Sequence, residues 1–347
     1  MGRRHYGTGV VVNSTAFGDT QTPTLDLADN LSELGILLES VLTNGSTAPT
    51  LTALANCLGV IAHIQTINIK GASGRSVTLS NYGLLMAHLC TTNGRLPFID
   101  PFDDVTTSAA VNRKAALRLA LGWPKSETTL SFSITFAGSS ALFSANAPTS
   151  PTIKLIIRPL YAVRLINYTY LEFSSTMTTT LALMNLAAQG LLKGVAFIPL
   201  STGTVPDLDL VTQIQVKHNE TVSHDISELA GLLDIVGNVR GCQGLTIAPD
   251  SEPFMPQIGY LEVDNEALDT NLSKVAFAGS SGTLKLVAAI AKLNTRIKEP
   301  ANPPASEAAE TGLAQIAVIE NPAGKAVQKV SLMVAVKSDD LEEATRR

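Results

Sequence analysis

Five histidines are the first place to look for chemistry in this chain of 347 residues. His218 and His224 flank Asn219-Glu-Thr-Val-Ser223, and Glu220 and Asp225 stand beside them. Together they would offer nitrogen and oxygen ligands, but not at a spacing that fixes a tetrahedral zinc site. A solvated turn is the expected reading. Asp100, Asp103 and Asp104, in Ile-Asp-Pro-Phe-Asp-Asp, could present oxygens to calcium. That run lacks the glycine turn and distal glutamate of an EF-hand loop, so it too reads as a turn. Gly71-Ala-Ser-Gly-Arg-Ser76 has neither the P-loop lysine nor the GxGxxG spacing, and is expected to be a hairpin turn between Ile69 and Val77. Gly279-Ser-Ser-Gly282 is not a GxSxG elbow, and no histidine follows His224 to complete a hydrolase triad. His63 and His88 lie in apolar contexts and are expected to be core or interface residues. The sequence thus assigns no catalytic, cofactor-binding or metal-ligating residue, and implies no cofactor.

Cys57, Cys90 and Cys242 are widely spaced, form no CxxC pair, and read as buried free thiols. Charged residues make up only 16% of the chain against 45% hydrophobic, and mean hydropathy is +0.21. This leaves apolar surface for a large core or for contact with other subunits. A formal net charge of −5 speaks against nucleic acid as a specific partner, because phosphate recognition needs a basic footprint. The basic pairs Arg3-Arg4 and Arg346-Arg347 stand near the two ends. The opening residues have only a short apolar run and do not read as a signal peptide; Leu181–Leu200 is interrupted by Asn185, Gln189 and Lys193 and does not read as a membrane span.

The elements that must carry these residues come in an internal repeat. Leu31-Ser-Glu-Leu-Gly-Ile-Leu-Leu-Glu39 resembles Ile226-Ser-Glu-Leu-Ala-Gly-Leu-Leu-Asp234, each with the apolar spacing of an amphipathic helix. Cys57-Leu-Gly-Val matches Cys242-Gln-Gly-Leu, and the alternating Ile64–Ile69 matches Ile258–Val263. Phe136-Ala-Gly-Ser-Ser140 recurs identically at Phe277–Ser281, and Thr152-Ile-Lys-Leu-Ile156 recurs as Thr283-Leu-Lys-Leu-Val287. Val211–Lys217 resembles Val330–Val336. Six markers in the same order predict a unit written twice. Short strands rich in Val, Ile, Thr and Leu, punctuated by Gly, Pro, Asn and Ser, predict a mainly β fold of two tandem sandwich units with a few short helices. The predicted division is an arm over 1–25, a first unit over 26–222 with long exposed insertions, a second over 223–337 and a charged tail over 338–347. Further helices are expected from Ser80, over Val111–Leu121 and over Thr178–Lys193. A hairpin is expected from Val195–Leu200 and Leu210–Lys217.

Tandem β-rich units of unequal loop length, with the repeated Phe-Ala-Gly-Ser-Ser, resemble the double jelly-roll major capsid proteins of tailless icosahedral viruses and phages. The resemblance covers roughly residues 26–340. It implies a non-enzymatic virion protein, made in the host cytoplasm, that self-assembles as trimers into an icosahedral shell. It implies other copies and minor capsid proteins as partners, and an internal lipid membrane met by the terminal segments 1–25 and 338–347. The alternative is a carbohydrate- or receptor-binding β-sandwich module of a viral fibre or spike, which predicts clustered exposed aromatics in a chain with 5% aromatic residues.

Overall fold

The first fifty residues set the pattern for the molecule, because residues 10–43 already supply four strands that lie in two facing sheets. The computed structural model describes residues 5–100, 102, 110–149, 151–162, 165–186, 190–201, 205–207, 210–218, 221–227, 258–268, 273–279 and 282–293. In the first half the strands are β1 (His5–Tyr6), β2 (Val10–Ser14), β3 (Thr20–Gln21), β4 (Thr24–Asp26), β5 (Leu31–Thr43), β6 (Thr50–Leu51), β7 (Ile64–Gly71), β8 (Ser76–Ser80), β9 (Phe98–Ile99), β10 (Ala110–Trp123), β11 (Thr129–Phe136), β12 (Phe143–Ala145) and β13 (Thr152–Tyr161). Helices α1 (Ala53–Leu58), α2 (Asn81–Thr92) and α3 (Ser139–Leu142) lie in the connections. The second half holds β14 (Ile166–Met177), β15 (Ala182–Asn185), β16 (Gly190–Ser201), β17 (Val205–Pro206), β18 (Val211–His218), β19 (Thr221–Ile226), β20 (Gly259–Leu268), β21 (Ser273–Gly279) and β22 (Gly282–Leu293).

Both halves wind the same way. One sheet of the first half runs β2-β13-β5-β10, and its facing sheet runs β3/β4-β11-β7-β8. In the second half the sheets run β14-β22-β16-β20 and β15-β21-β18-β19. Counted along each half, with β3 and β4 as one broken strand and the short strands β1, β6, β9, β12 and β17 left out, the orders are first-eighth-third-sixth and second-seventh-fourth-fifth. All the pairings are antiparallel. This interleaving is the jelly roll, and the chain contains it twice.

Side-chain alternation explains the first core. Along β5, Leu34, Ile36, Leu38 and Leu42 are buried, while Leu37, Glu39 and Val41 face outward and are half-buried. They meet Ile67 and Ile69 of β7 and Phe132 and Ile134 of β11 in one cluster. At roughly 25 cal/mol per Å² of apolar surface, each fully buried Leu or Ile contributes about 1.5–3 kcal/mol. The second roll differs. In β16, Val195 and Phe197 point into its own core, while Ala196, Ile198 and Leu200 join the core of the first roll; in β22, Leu286 and Ala288 point one way and Val287 and Ala289 the other. Strands buried on both faces need an unbroken apolar run, which Val195–Leu200 and Leu286–Ile290 provide.

Several expectations are corrected. Leu31–Glu39 is the start of a thirteen-residue strand, not a helix. Its Leu31, Leu34 and Leu38 satisfy helical spacing by coincidence, while Leu34, Ile36, Leu38 and Leu42 satisfy the strand period over a longer stretch. Val111–Leu121 is β10, where pairing with β5 along its length overrides the helical propensity of its Ala, Leu, Arg and Lys residues. Thr178–Lys193 contains β15 and the start of β16. Val195–Leu200 and Leu210–Lys217 do not pair as a hairpin, since β16 and β18 lie in different sheets. The expected arm 1–25 supplies β1, β2, β3 and the start of β4, so residues from His5 on belong to the first roll. The expected boundary at 222/223 cuts β19. The sheets instead change over between Tyr161 and Ile166.

Of the repeat markers, Phe136 and Phe277 both stand in the seventh strand, and Thr152–Ile156 and Thr283–Val287 both in the eighth. Ile64–Ile69 is a fourth strand and Ile258–Val263 lies mostly in a sixth, so that pair is not equivalent. Cys242, most of Ile226–Asp234 and Val330–Val336 lie outside the described residues, as do the later part of the second predicted unit and the tail 338–347.

Candidate functional site

The helix predicted from Ser80 is present, but it forms no exposed tower. Ser80 caps α2, its hydroxyl accepting from the Gly83 N–H at 3.1 Å, and Asn93 closes it in the left-handed conformation. Ten of its twelve residues are buried, from Asn81 to Cys90. A helix that is apolar all round must be covered all round. Here β7, β8 and β10 of the first roll and β16 and β22 of the second supply the cover. The two rolls lie in one compact unit, Met1–Asn294.

Polar groups fasten this junction. The Glu172 carboxylate of the second roll accepts from the Ser80 N–H at 2.9 Å and from the Ser80 hydroxyl, at the positive end of α2. The Tyr170 hydroxyl donates to the Ala120 carbonyl at 2.9 Å and lies 3.0 Å from the Thr91 hydroxyl, while Thr91 accepts from the Ala120 N–H at 3.1 Å. Tyr170 thereby ties β14 to β10 and α2. Burial drives its phenol well above the usual range. The Cys90 thiol, between the Gly194 and Val287 carbonyls, is pushed up to about 12 by burial, which makes it unreactive. Gly122 (φ +62°) lies where a Cβ would strike the Ile166 carbonyl, so the crossing from one roll to the other requires glycine.

The residues singled out for chemistry are dispersed. Nε2 of His63 is 2.8 Å from the Ser40 hydroxyl inside the first roll, beside Phe17 and Phe102, and burial lowers its pKa to about 3. Nδ1 of His88 accepts the Arg118 N–H at 2.8 Å, and burial lowers its pKa to about 4. His88 is a structural acceptor and His63 a buried hydrogen-bond partner of Ser40, both placed where no solvent or substrate reaches them. Asp100 accepts the Lys114 N–H at 2.7 Å and so ties the chain beside β9 to β10. Asp103, Asp104 and Glu220 lie outside the described residues. His218 and His224 fall on the β18–β19 hairpin, opposite Thr221 and Val216. Among the described residues no group of three acidic, His or Cys side chains could hold a metal. Gly71–Ser76 is the expected hairpin turn, closed by a hydrogen bond from the Gly71 N–H to the Arg75 carbonyl at 2.9 Å. Glu127, which the sequence reading did not single out, anchors that turn by accepting from the Ser73 N–H and hydroxyl. Gly279 is the last residue of β21 and Gly282 the first of β22.

A surface rather than a pocket remains. On the outward side of β2-β13-β5-β10, register places Val11, Ile156, Leu37 and Ala116 in one row across all four strands. Val11 is 52% exposed, and Tyr6 beside the row is 65% exposed. On one flank Glu39 faces Lys114 and Lys154 across the strands, at 3.6 Å from each. On the other, Gly35 sits between Arg118 and Arg158, and Arg118 pairs with Glu33. The missing side chain at Gly35 leaves a hollow of about 230 Å³ lined by Tyr6, Leu37, Ala116, Ile156 and Arg158. Hollow and row together make an apolar strip between two charged borders.

No protein-family model and no curated protein sequence matches the chain. Among solved structures it is similar to the STIV MCP, a major capsid protein, with a TM-score of 0.61 and 13% identity over 85% of this chain and 100% of that one. It is also similar to a chain in the atomic structure of Sulfolobus Turreted Icosahedral Virus, with a TM-score of 0.57 and 15% identity over 86% of this chain and 95% of the other. These likenesses establish the fold as a double jelly roll.

Proposed function

We propose that the chain is the major capsid protein of an icosahedral virion, acting by self-association and not by catalysis. The observation that carries this reading is the complete repetition of one eight-strand winding, with the two rolls locked around a shared buried helix, in a chain that spans the whole of a known capsid protein's fold. A rigid two-roll block suits tiling: jelly rolls leave few free strand edges for uncontrolled pairing, so contacts are made by faces. A low proportion of charge, 16%, keeps repulsion between identical neighbours small. The proposal includes trimers as the assembling unit, minor capsid proteins as neighbours, and a lipid membrane beneath the shell, met by terminal segments such as the one ending in Arg346-Arg347. A binding module of a fibre or spike draws no comparable support. The exposed large aromatics among the described residues, Tyr6 and Phe98, stand on β1 and β9 at opposite edges of one sheet and form no cluster.

Size-exclusion chromatography with multi-angle light scattering tests the reading. Trimers or larger assemblies are expected from the purified chain at micromolar concentration. A stable monomer at high micromolar concentration overturns it.

A further inference from the structure

One end of the first roll is closed by four aromatic rings, one from each of four connections that carry the chain between its two sheets. Phe17 stands between β2 and β3, His63 between β5 and β7, Phe102 between β8 and β10, and Phe143 between β11 and β13. The His63 ring stacks on Phe17, with centroids 6.1 Å apart, and meets Phe102 edge-on at 5.2 Å. Phe143 meets Phe17 at 5.9 Å and Phe102 at 6.1 Å. Backbone bonds join the same connections. The Ala137 N–H donates to the His63 carbonyl at 2.7 Å, the Gly18 N–H to the Ala137 carbonyl at 3.1 Å, and the Val60 N–H to the Asp100 carbonyl at 3.1 Å. Of the four rings, only His63 titrates.

His63 is wholly buried, its Nε2 is 2.8 Å from the Ser40 hydroxyl, and its Nδ1 has no hydrogen-bond partner among the described residues. A proton added to the ring makes both nitrogens donors. Ser40 can accept from one; the other N–H, and the charge, are left among apolar rings. Ring faces attract a cation, but that attraction is small beside the cost of taking the charge out of water. The charged groups on the surrounding elements are engaged elsewhere. Asp19 accepts from Ser14, Gln21 and the Thr20 N–H, and Asp100 accepts from the Lys114 N–H. Glu33 and Glu39 of β5 pair with Arg118, Lys114 and Lys154 on the outer side of the sheet. Arg113 of β10, beside Phe102 and Phe143, has the same sign as an imidazolium. Cys57 of α1 and Tyr82 and Cys90 of α2 are held protonated and uncharged by burial, and His88 of α2 is held neutral by it. Burial accounts for the lowering of the His63 pKa to about 3.

We infer that His63 is an acid-operated latch: once protonated it leaves the ring cluster, and the four connections part and expose Phe17, Phe102 and Phe143 while the sheets and the α2 junction persist. Only a neutral imidazole fits the closed form; in the open form the ring regains its ordinary pKa of 6.5. The open form therefore binds the extra proton. Closure is complete above about pH 6.5, and each pH unit below that favours the open form about tenfold until about pH 3. This device goes beyond self-association and does not depend on it.

Two buried free thiols report on the two places separately: Cys57 lies on α1, in the connection that ends at His63, and Cys90 lies in the α2 junction. The test labels the full chain with dithiodipyridine, which reacts with thiols in acid, and locates the label by peptide mass spectrometry. Relative to the urea-unfolded chain at the same pH, Cys57 labelling is expected to rise about tenfold per unit below pH 6.5, the linkage of one proton, while Cys90 stays protected. His63→Gln, neutral at every pH and able to bond Ser40, is expected to flatten the Cys57 profile. A flat profile in the parent, an equally steep one in His63→Gln, or Cys57 and Cys90 labelled together overturns the inference. If His63→Gln does not fold, Phe17→Leu, which removes the ring stacked on His63, decides with the parent profile. Faster labelling of Cys57 alone at pH 5 supports the latch, and unchanged labelling overturns it.

Discussion

Burial holds His63 and His88 neutral, with pKa values near 3 and 4 against an ordinary value of 6.5. The sign of the consequence follows from proton counting. Between the unfolded and folded values the unfolded chain binds more protons, so stability is complete above about pH 6.5 and falls as pH drops toward 4. Each histidine contributes a slope of about 1.4 kcal/mol per pH unit in that window. Urea unfolding at pH 7 and pH 5 is expected to show this loss, and His88→Gln is expected to lower the slope by one histidine's share. An unchanged slope would mean that His88 is not buried as described. A second residue-scale effect inverts a general rule. Glycine to alanine inside a helix normally stabilises by about 1 kcal/mol. At Gly83 the added methyl would run into the Glu172 carboxylate that caps α2. Gly83→Ala is therefore expected to lower the melting temperature by several degrees, since displacing that carboxylate leaves the Ser80 N–H unsatisfied at a cost of about 1–3 kcal/mol.

Among elements, α2 decides how the two rolls behave. Leu84, Leu85, Met86 and Leu89 are at most 1% exposed, and the cluster they belong to includes Val287 and Ala289 of the second roll as well as the first roll's own strands. A helix shared by two cores couples their unfolding. Calorimetry is expected to give one transition with equal calorimetric and van't Hoff enthalpies. Two separate peaks would show that the junction is weaker than its burial implies. Leu89→Ala is expected to cost about 2–5 kcal/mol, the usual range for a buried leucine, and to shift that single transition whole.

On the scale of the whole molecule, the distribution of apolar surface matters more than any side chain. The second roll's outward sheet face is used inside the chain, and the first roll's equivalent face is left as a strip between charged borders. A monomer with such a face has a standing reason to associate. Because Lys114, Arg118, Lys154 and Arg158 border the strip, association that engages this face through them is expected to weaken between low salt and about 1 M salt, where screening acts within about 3 Å. Light scattering across a salt series would detect it. Assembly that strengthens with salt would point to a purely apolar contact elsewhere.

Composition and punctuation alone were enough to determine a β-rich chain that repeats itself, and Phe136/Phe277 and Thr152/Thr283 marked true equivalents in the seventh and eighth strands. So were the hairpin at Gly71–Ser76, the helix from Ser80 and the structural character of His63 and His88, because turn glycines, a serine cap and an apolar neighbourhood are local signals. Only the tertiary structure decided that Leu31–Leu42 and Val111–Leu121 are strands, that the rolls change over after Tyr161, and that α2 is buried between them. The reason is one of range. A strand's identity is settled by the neighbour it pairs with, which can lie more than a hundred residues away, as Ile156 does from Leu37. A strand covered on both faces, such as β16, loses the alternation that would announce it.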